Sequence, residues 1–122
     1  MLTEIRPLIW LFFQWRGRVS RSAYFLAGML LYLARLYPFY KLIQTSGDEQ
    51  AATYWAGIFV SVVAIAIVPH IALSVKRLHD FGRSGWWSLF FLLGDAIVFI
   101  VLCLIPGNPG PNQYGGHTNA PS

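Results

Sequence analysis

The fold predicted for this chain is an all-α integral membrane protein, with three transmembrane helices and a short amino-terminal interfacial helix in one polytopic domain, residues 1–122. Three observations predict it. The composition is 56% hydrophobic and 16% aromatic with only 11% charged, more apolar than a soluble domain of 122 residues needs to fill one core. Three windows are long and apolar enough to cross a hydrocarbon core, which takes roughly 20 residues of helix. Most of the Lys and Arg fall in two clusters beside those windows, as they do around membrane spans.

The first element is the segment from Pro7 to Trp15. Leu8, Ile9, Trp10, Leu11, Phe12 and Phe13 make it apolar, but it is only about half a span long and is closed by Arg16 and Arg18, so it reads as an interfacial helix. Pro7 suits a first helical turn, where a missing N–H costs no hydrogen bond. A cleaved signal peptide is disfavoured because bulky and charged residues follow the apolar run.

The first span is expected over Ala23 to Ile43, capped by Ser20 or Ser22, with Arg35 in its interior and Lys41 near its end. The second, Thr53 to Val75, carries no charge, and the third, Trp86 to Pro106, carries only Asp95. Pro38 and Pro69 free the carbonyls of Ala34 and Ile65 and mark expected kinks, with His70 placed to bond a freed carbonyl. Residues 107–122 are rich in Gly, Pro and Asn and too poor in apolar surface to fold alone, so they are expected to form a flexible or peripherally docked tail.

Basic residues assign the sides of the membrane. Arg6, Arg16, Arg18 and Arg21 precede the first span, and Lys76, Arg77 and Arg83 separate the second from the third, whereas the intervening loop carries Asp48 and Glu49. The expected topology has the amino terminus in the cytoplasm and the carboxyl terminus outside. Trp15, Trp86 and Trp87 would anchor the inner interface, and Tyr37, Tyr40, Tyr54 and Trp55 the outer one.

Two motifs then face each other on the cytoplasmic side. One is Gly17-Arg18-Val19-Ser20-Arg21-Ser22 followed by aromatics; the other is Lys76-Arg77-Leu78-His79-Asp80-Phe81-Gly82-Arg83-Ser84-Gly85-Trp86-Trp87. Together with Pro106-Gly107 and Asn112-Gln113-Tyr114-Gly115, this pattern resembles the YhaH-like bacterial inner-membrane proteins, the domain-of-unknown-function family eight hundred and five, from about Trp10 to Gly115. The resemblance implies a small polytopic protein of the bacterial inner membrane and brings no established activity. Gln113 and Asp95 stand where such proteins more often carry a basic and an apolar residue.

The candidate binding set is Arg16, Arg18, Arg21, Lys76, Arg77, His79, Asp80 and Arg83. The plain reading is lipid adhesion, at about 1 kcal/mol per basic residue near an anionic surface. The sharper one is a pocket in which Asp80 orients arginines by forked hydrogen bonds while the others hold a phosphate or carboxylate. His79 and Asp80 point about 100° apart on a helix, and no nucleophile-elbow, zincin or phosphate-loop spacing accompanies them. No catalytic residue is assigned, and no enzymatic activity is expected.

Cys103 is the single cysteine, within an apolar run, so neither a disulfide nor a metal site nor a cofactor is expected. The basic residues flank spans and leave no nucleic-acid footprint. Arg35 and Asp95 are costly inside spans, and on parallel first and third spans they lie at ~18 Å and ~14 Å depth, within reach of an ion pair; snorkelling of Arg35 is the competing expectation. Small residues at Ala23 and Ala27 and at Gly57 and Ser61 allow close helix approach and a homo-oligomer. The expected function is binding of anionic lipid headgroups or of an acidic partner at the cytoplasmic leaflet. The alternative is a small oligomeric channel or transporter with Arg35, His70 and Asp95 in its interior.

Overall fold

The computed structural model describes residues 2–121 and is all-α, without a strand among those residues. Helix α1 runs Leu2–Phe13, α2 Arg21–Gln44, α3 Glu49–Asp80 and α4 Asp95–Leu104; a 3-10 segment, Gly85–Leu92, precedes α4. Side-chain caps set the starts of the two long helices. Ser20 Oγ accepts from the Ala23 amide at 3.3 Å, and Asp48 Oδ1 accepts from the Ala51 amide at 3.2 Å.

Helices α2 and α3 form a long antiparallel pair that runs unbroken through Pro38 and Pro69. The core lies where α1, the 3-10 segment and α4 pack on one end of that pair, around Trp10, Val19, Tyr24, Ala27, Leu73, Leu78, Phe91, Phe99 and Leu102. The outward faces stay apolar: Leu26, Leu30, Leu33, Val60, Ile65, Leu93 and Ile97 are all exposed. An outer surface of this kind is suited to lipid. Among the described residues, α3 is the one helix long and apolar enough by length and composition to cross a membrane. Its 32 residues extend about 48 Å, so it carries the Lys76–Asp80 motif as helix rather than loop.

The third expected span is not one continuous helix. Its first half is the 3-10 segment, which descends beside α3: Gly85 abuts Val75, and the Phe91 ring lies 5.1 Å from that of His70. The chain reverses at Leu93 and Gly94, and α4 then returns along α2, with Asp95 beside Arg35, Phe99 over Gly28 and the Leu104 carbonyl near Arg21. Each arm is about 15 Å long, half of a hydrocarbon core. The result is two long helices and a helical hairpin that doubles back to the end it started from. Close packing of α4 on α2 depends on Gly28, where a Cβ would overlap the Phe99 ring.

The carboxyl-terminal residues lie at the same end of the helix pair as the amino-terminal ones. Residues 105–121 lie at the same end as residues 14–20: the Asn119 amide donates to the Arg18 carbonyl at 2.7 Å and the Asn108 amide to the Asp80 carbonyl at 2.7 Å. The tail is a docked strap and not a flexible extension, because its backbone carbonyls are engaged by Arg18. The first helix also differs from expectation, starting at Leu2 and ending at Phe13, so that Pro7 lies inside it and removes the bond to the Thr3 carbonyl.

The hairpin predicts that reporters fused at the two ends of the chain register the same compartment, and one inserted at Gly47 the opposite one. Opposite signals from the two ends would restore a third crossing.

Candidate functional site

The charged end is built around Asp80, in the last turn of α3. Its Oδ1 accepts from Arg18 Nε at 3.0 Å and its Oδ2 from Arg77 Nη1 at 2.7 Å. The two guanidiniums reach much further. Arg18 Nη1 donates to the carbonyls of Gly110 at 2.8 Å and Gly115 at 3.1 Å, and its Nη2 to that of Asn108 at 2.8 Å. Arg77 Nε donates to the Leu102 carbonyl at 2.9 Å, its Nη1 also to Val19 at 3.2 Å, and its Nη2 to Ile105. Lys76 Nζ donates to the carbonyls of Trp10, Leu11 and Gln14.

These acceptors have a common origin. The last turn of a helix leaves carbonyls without intrahelical partners and carries partial negative charge. Lys76 caps the end of α1 and Arg77 the end of α4, while Arg18 serves the turns of the tail. The neighbouring glycines are required by the close approach: a Cβ on Gly107 would overlap the Asp80 carboxylate, and Gly17, at φ +95°, lies against the Ala120 carbonyl.

The eight-residue binding set therefore divides. Arg18, Lys76, Arg77 and Asp80 are at most 3% exposed and bonded inside the protein, so they form a clasp and not a cradle open to a ligand. Arg16, Arg21 and Arg83 stay exposed at the same end, Arg21 making only a 3.5 Å contact with the Leu104 carbonyl. Trp15, Trp86 and Trp87 lie outward beside them, at 60%, 79% and 52% exposure. His79 is half-buried; its Nδ1 is 3.1 Å from the Gly17 carbonyl and its ring stacks on Tyr114 at 3.9 Å, 3° from parallel. Since a carbonyl only accepts, Nδ1 carries the proton. The sequence marked Tyr114 only as part of a family pattern and the tail carbonyls not at all, since a glycine-rich tail carries no sign of what it docks against.

A second polar group lies deeper, at the tip of the hairpin. Arg35 Nη1 is 3.0 Å from Asp95 Oδ2, and its guanidinium lies 4.6 Å from the Tyr32 ring centroid. Helices α2 and α4 are antiparallel here, so the pair forms because α4 begins at this depth, not because two outward spans run side by side. His70 lies between the rings of Tyr32, at 4.8 Å, and Phe91, in place of the expected bond to a freed carbonyl. The Tyr32 hydroxyl, Arg35 Nε and His70 Nε2 are buried without a hydrogen-bond partner among the described residues. Among the described residues no group of His, Cys, Asp and Glu has the geometry to hold a metal ion.

The family described as Protein of unknown function (DUF805) matches residues 12–116. The chain is 34% identical over 107 residues to the inner membrane protein YhaH of Escherichia coli strain K12, covering 82% of this chain and 83% of that protein. It is 39% identical over 51 residues to the inner membrane protein YhaI of the same strain, covering 39% and 42% respectively. No solved structure matches.

Replacing Asp80 by Ala leaves two buried guanidiniums without their shared counter-charge. Thermal or denaturant unfolding in detergent micelles is expected to show a loss of about 3–5 kcal/mol. Arg16→Ala, on the exposed rim, is expected to fall within about 0.5 kcal/mol of the parent. Equal effects of the two substitutions would refute the division into clasp and rim.

Proposed function

The chain belongs to the DUF805 family of proteins of unknown function, and on that premise we propose that it is a non-enzymatic bacterial inner-membrane module that binds anionic lipid headgroups through Arg16, Arg21 and Arg83. The observation that carries this reading is the sorting of the basic residues. Of the six Lys and Arg residues in the binding set, three are engaged inside, and the other three are exposed at the end that also exposes Trp15, Trp86 and Trp87. Guanidiniums beside indoles at a helix-bundle end suit the headgroup level, where phosphate and hydrocarbon meet.

The excess of basic residues at this end favours the cytoplasmic leaflet, with both termini on that side. The loop between α2 and α3, bearing Asp48 and Glu49, then faces outward. Lipid is favoured over an acidic protein partner because the rim is continuous with exposed apolar side chains, among them Phe13 at 61% and Trp86 at 79% exposure.

The orphaned polar atoms around Arg35 and His70 are the one observation that favours a channel or transporter assembled from several copies. Against it, Arg35 and Asp95 neutralise each other, and His70 is packed between two aromatic rings. Anionic lipid binding remains the better supported function.

The rim predicts that Arg16→Gln, Arg21→Gln and Arg83→Gln each lower the phosphatidylglycerol retained in native mass spectra by roughly fivefold, from about 1 kcal/mol per basic residue near an anionic surface. The loss should shrink as ionic strength rises. Full retention in the triple variant, with an unchanged melting temperature, would overturn the assignment.

A further inference from the structure

The clasp accounts for Lys76, Arg77 and Asp80 but not for the remainder of the same motif, which builds a cavity. Beside His79 lies a recess of about 350 Å³, lined by Trp15, Ser84, Trp86, Ser88 and Tyr114 among others. Its walls are mainly apolar side chains, and its few polar groups are the imidazole, two serine hydroxyls and the tyrosine. Two of the lining residues adjoin the exposed cations in sequence: Trp15 precedes Arg16, and Ser84 follows Arg83.

The imidazole in this recess is held from two sides. Its Nδ1 is committed to the Gly17 carbonyl, and the parallel Tyr114 ring fixes its plane. Among the described residues Nε2 has no hydrogen-bond partner, and it faces Gly85, where a Cβ would lie 3.5 Å from it and 2.8 Å from Val75 Cγ1. The absence of a side chain at Gly85 therefore keeps that wall open. A neutral ring with a protonated Nδ1 presents Nε2 as a lone-pair acceptor. An oriented acceptor in an apolar recess selects a ligand with a hydrogen-bond donor beside an apolar body. Lys76 bears on the imidazole with positive charge, and Arg16 and Arg83 are the sequence neighbours of two lining residues, which favours an uncharged hydroxyl on an anionic molecule over an ammonium.

We propose that the recess beside His79 is a headgroup site for an anionic phospholipid bearing a free hydroxyl, such as a glycerol headgroup. The hydroxyl donates to His79 Nε2, the phosphate lies toward the Arg16 and Arg83 rim, and the apolar body of the lipid lies along the indoles of Trp15 and Trp86. This rests on the lipid-binding reading above and sharpens it: the rim supplies charge attraction, and His79 supplies the choice among headgroups.

The test compares phosphatidylglycerol with phosphatidylmethanol, which has the same charge and the same chains but no headgroup hydroxyl. Native mass spectra of the full chain, exchanged into equal mixtures of the two, are expected to show roughly three- to tenfold preferential retention of phosphatidylglycerol, as one net hydrogen bond gives. His79→Asn keeps a donor near the Nδ1 position for the Gly17 carbonyl and removes the Nε2 acceptor. It is expected to lower phosphatidylglycerol retention by that same factor of roughly three- to tenfold, to the level of phosphatidylmethanol, whose own retention stays as in the parent. Equal retention of the two lipids by the parent overturns the proposal whether or not the variant folds, as does a preference that survives His79→Asn. Retention of neither lipid above phosphatidylcholine would instead refute the rim itself, so the two failures are distinct.

Discussion

Two guanidiniums and an ammonium lie buried at one end of this protein with a single carboxylate among them, and the surrounding chain is arranged to supply the acceptors that Asp80 alone cannot. A buried cation is tolerable only when it is paired and its donors are hydrogen-bonded. The acceptors come from the end of α1, the end of α4 and the turns of the tail, all of which would otherwise hold unpaired carbonyls. Each partner thus meets a need of the other. The shape of each donor suits the acceptors it meets, since the planar forks of Arg18 and Arg77 reach carbonyls from several segments, while the compact Lys76 ammonium points three donors at one helix end.

That clasp explains the hairpin. Arg77 sits one turn from the end of α3 and holds the Leu102 and Ile105 carbonyls, so the end of α4 must lie at the charged end of the bundle. A segment that starts at Gly85 and finishes at Ile105 on the same side has no length left to cross. Reversal occurs at Leu93 and Gly94, and Gly28 lets the Phe99 ring settle against α2 on the return. The same constraint brings residues 105–121 back over residues 17–20.

Much of this was legible in the sequence, and the illegible part has a definable cause. The start of α2 follows from Ser20, one of two expected caps, and its extent matches the expected span to within two residues at each end, whereas α3 begins four residues before its expected span because Asp48, read only as a loop acid, caps it. The proximity of Arg35 and Asp95 was also legible, although through an assumed parallel arrangement that the hairpin replaces. Hydropathy counts apolar residues without regard to chain direction, so 86–106 scores the same whether it crosses or doubles back; Gly94, at its midpoint, was the available sign. The division of the basic residues was hidden because Arg16 and Arg18 are alike in composition. Only the fold shows that Arg18 faces Asp80 and the tail carbonyls while Arg16 faces outward.

The tip of the hairpin poses the opposite problem, because there the backbone offers donors and not acceptors. Helix α4 starts at Gly94 without a side-chain cap, leaving first-turn amides at the tip of the hairpin, about 15 Å from the charged end. Asp95, in that first turn, places a carboxylate at the positive end of the helix, which stabilises both. A lone carboxylate at that depth would still be costly, and Arg35, on the facing turn of α2, supplies the counter-charge at 3.0 Å. The tip therefore carries a cation because the reversal requires an anion. Such a pair, with the Tyr32 ring against its guanidinium, belongs to the architecture of the hairpin before it belongs to any conduction path.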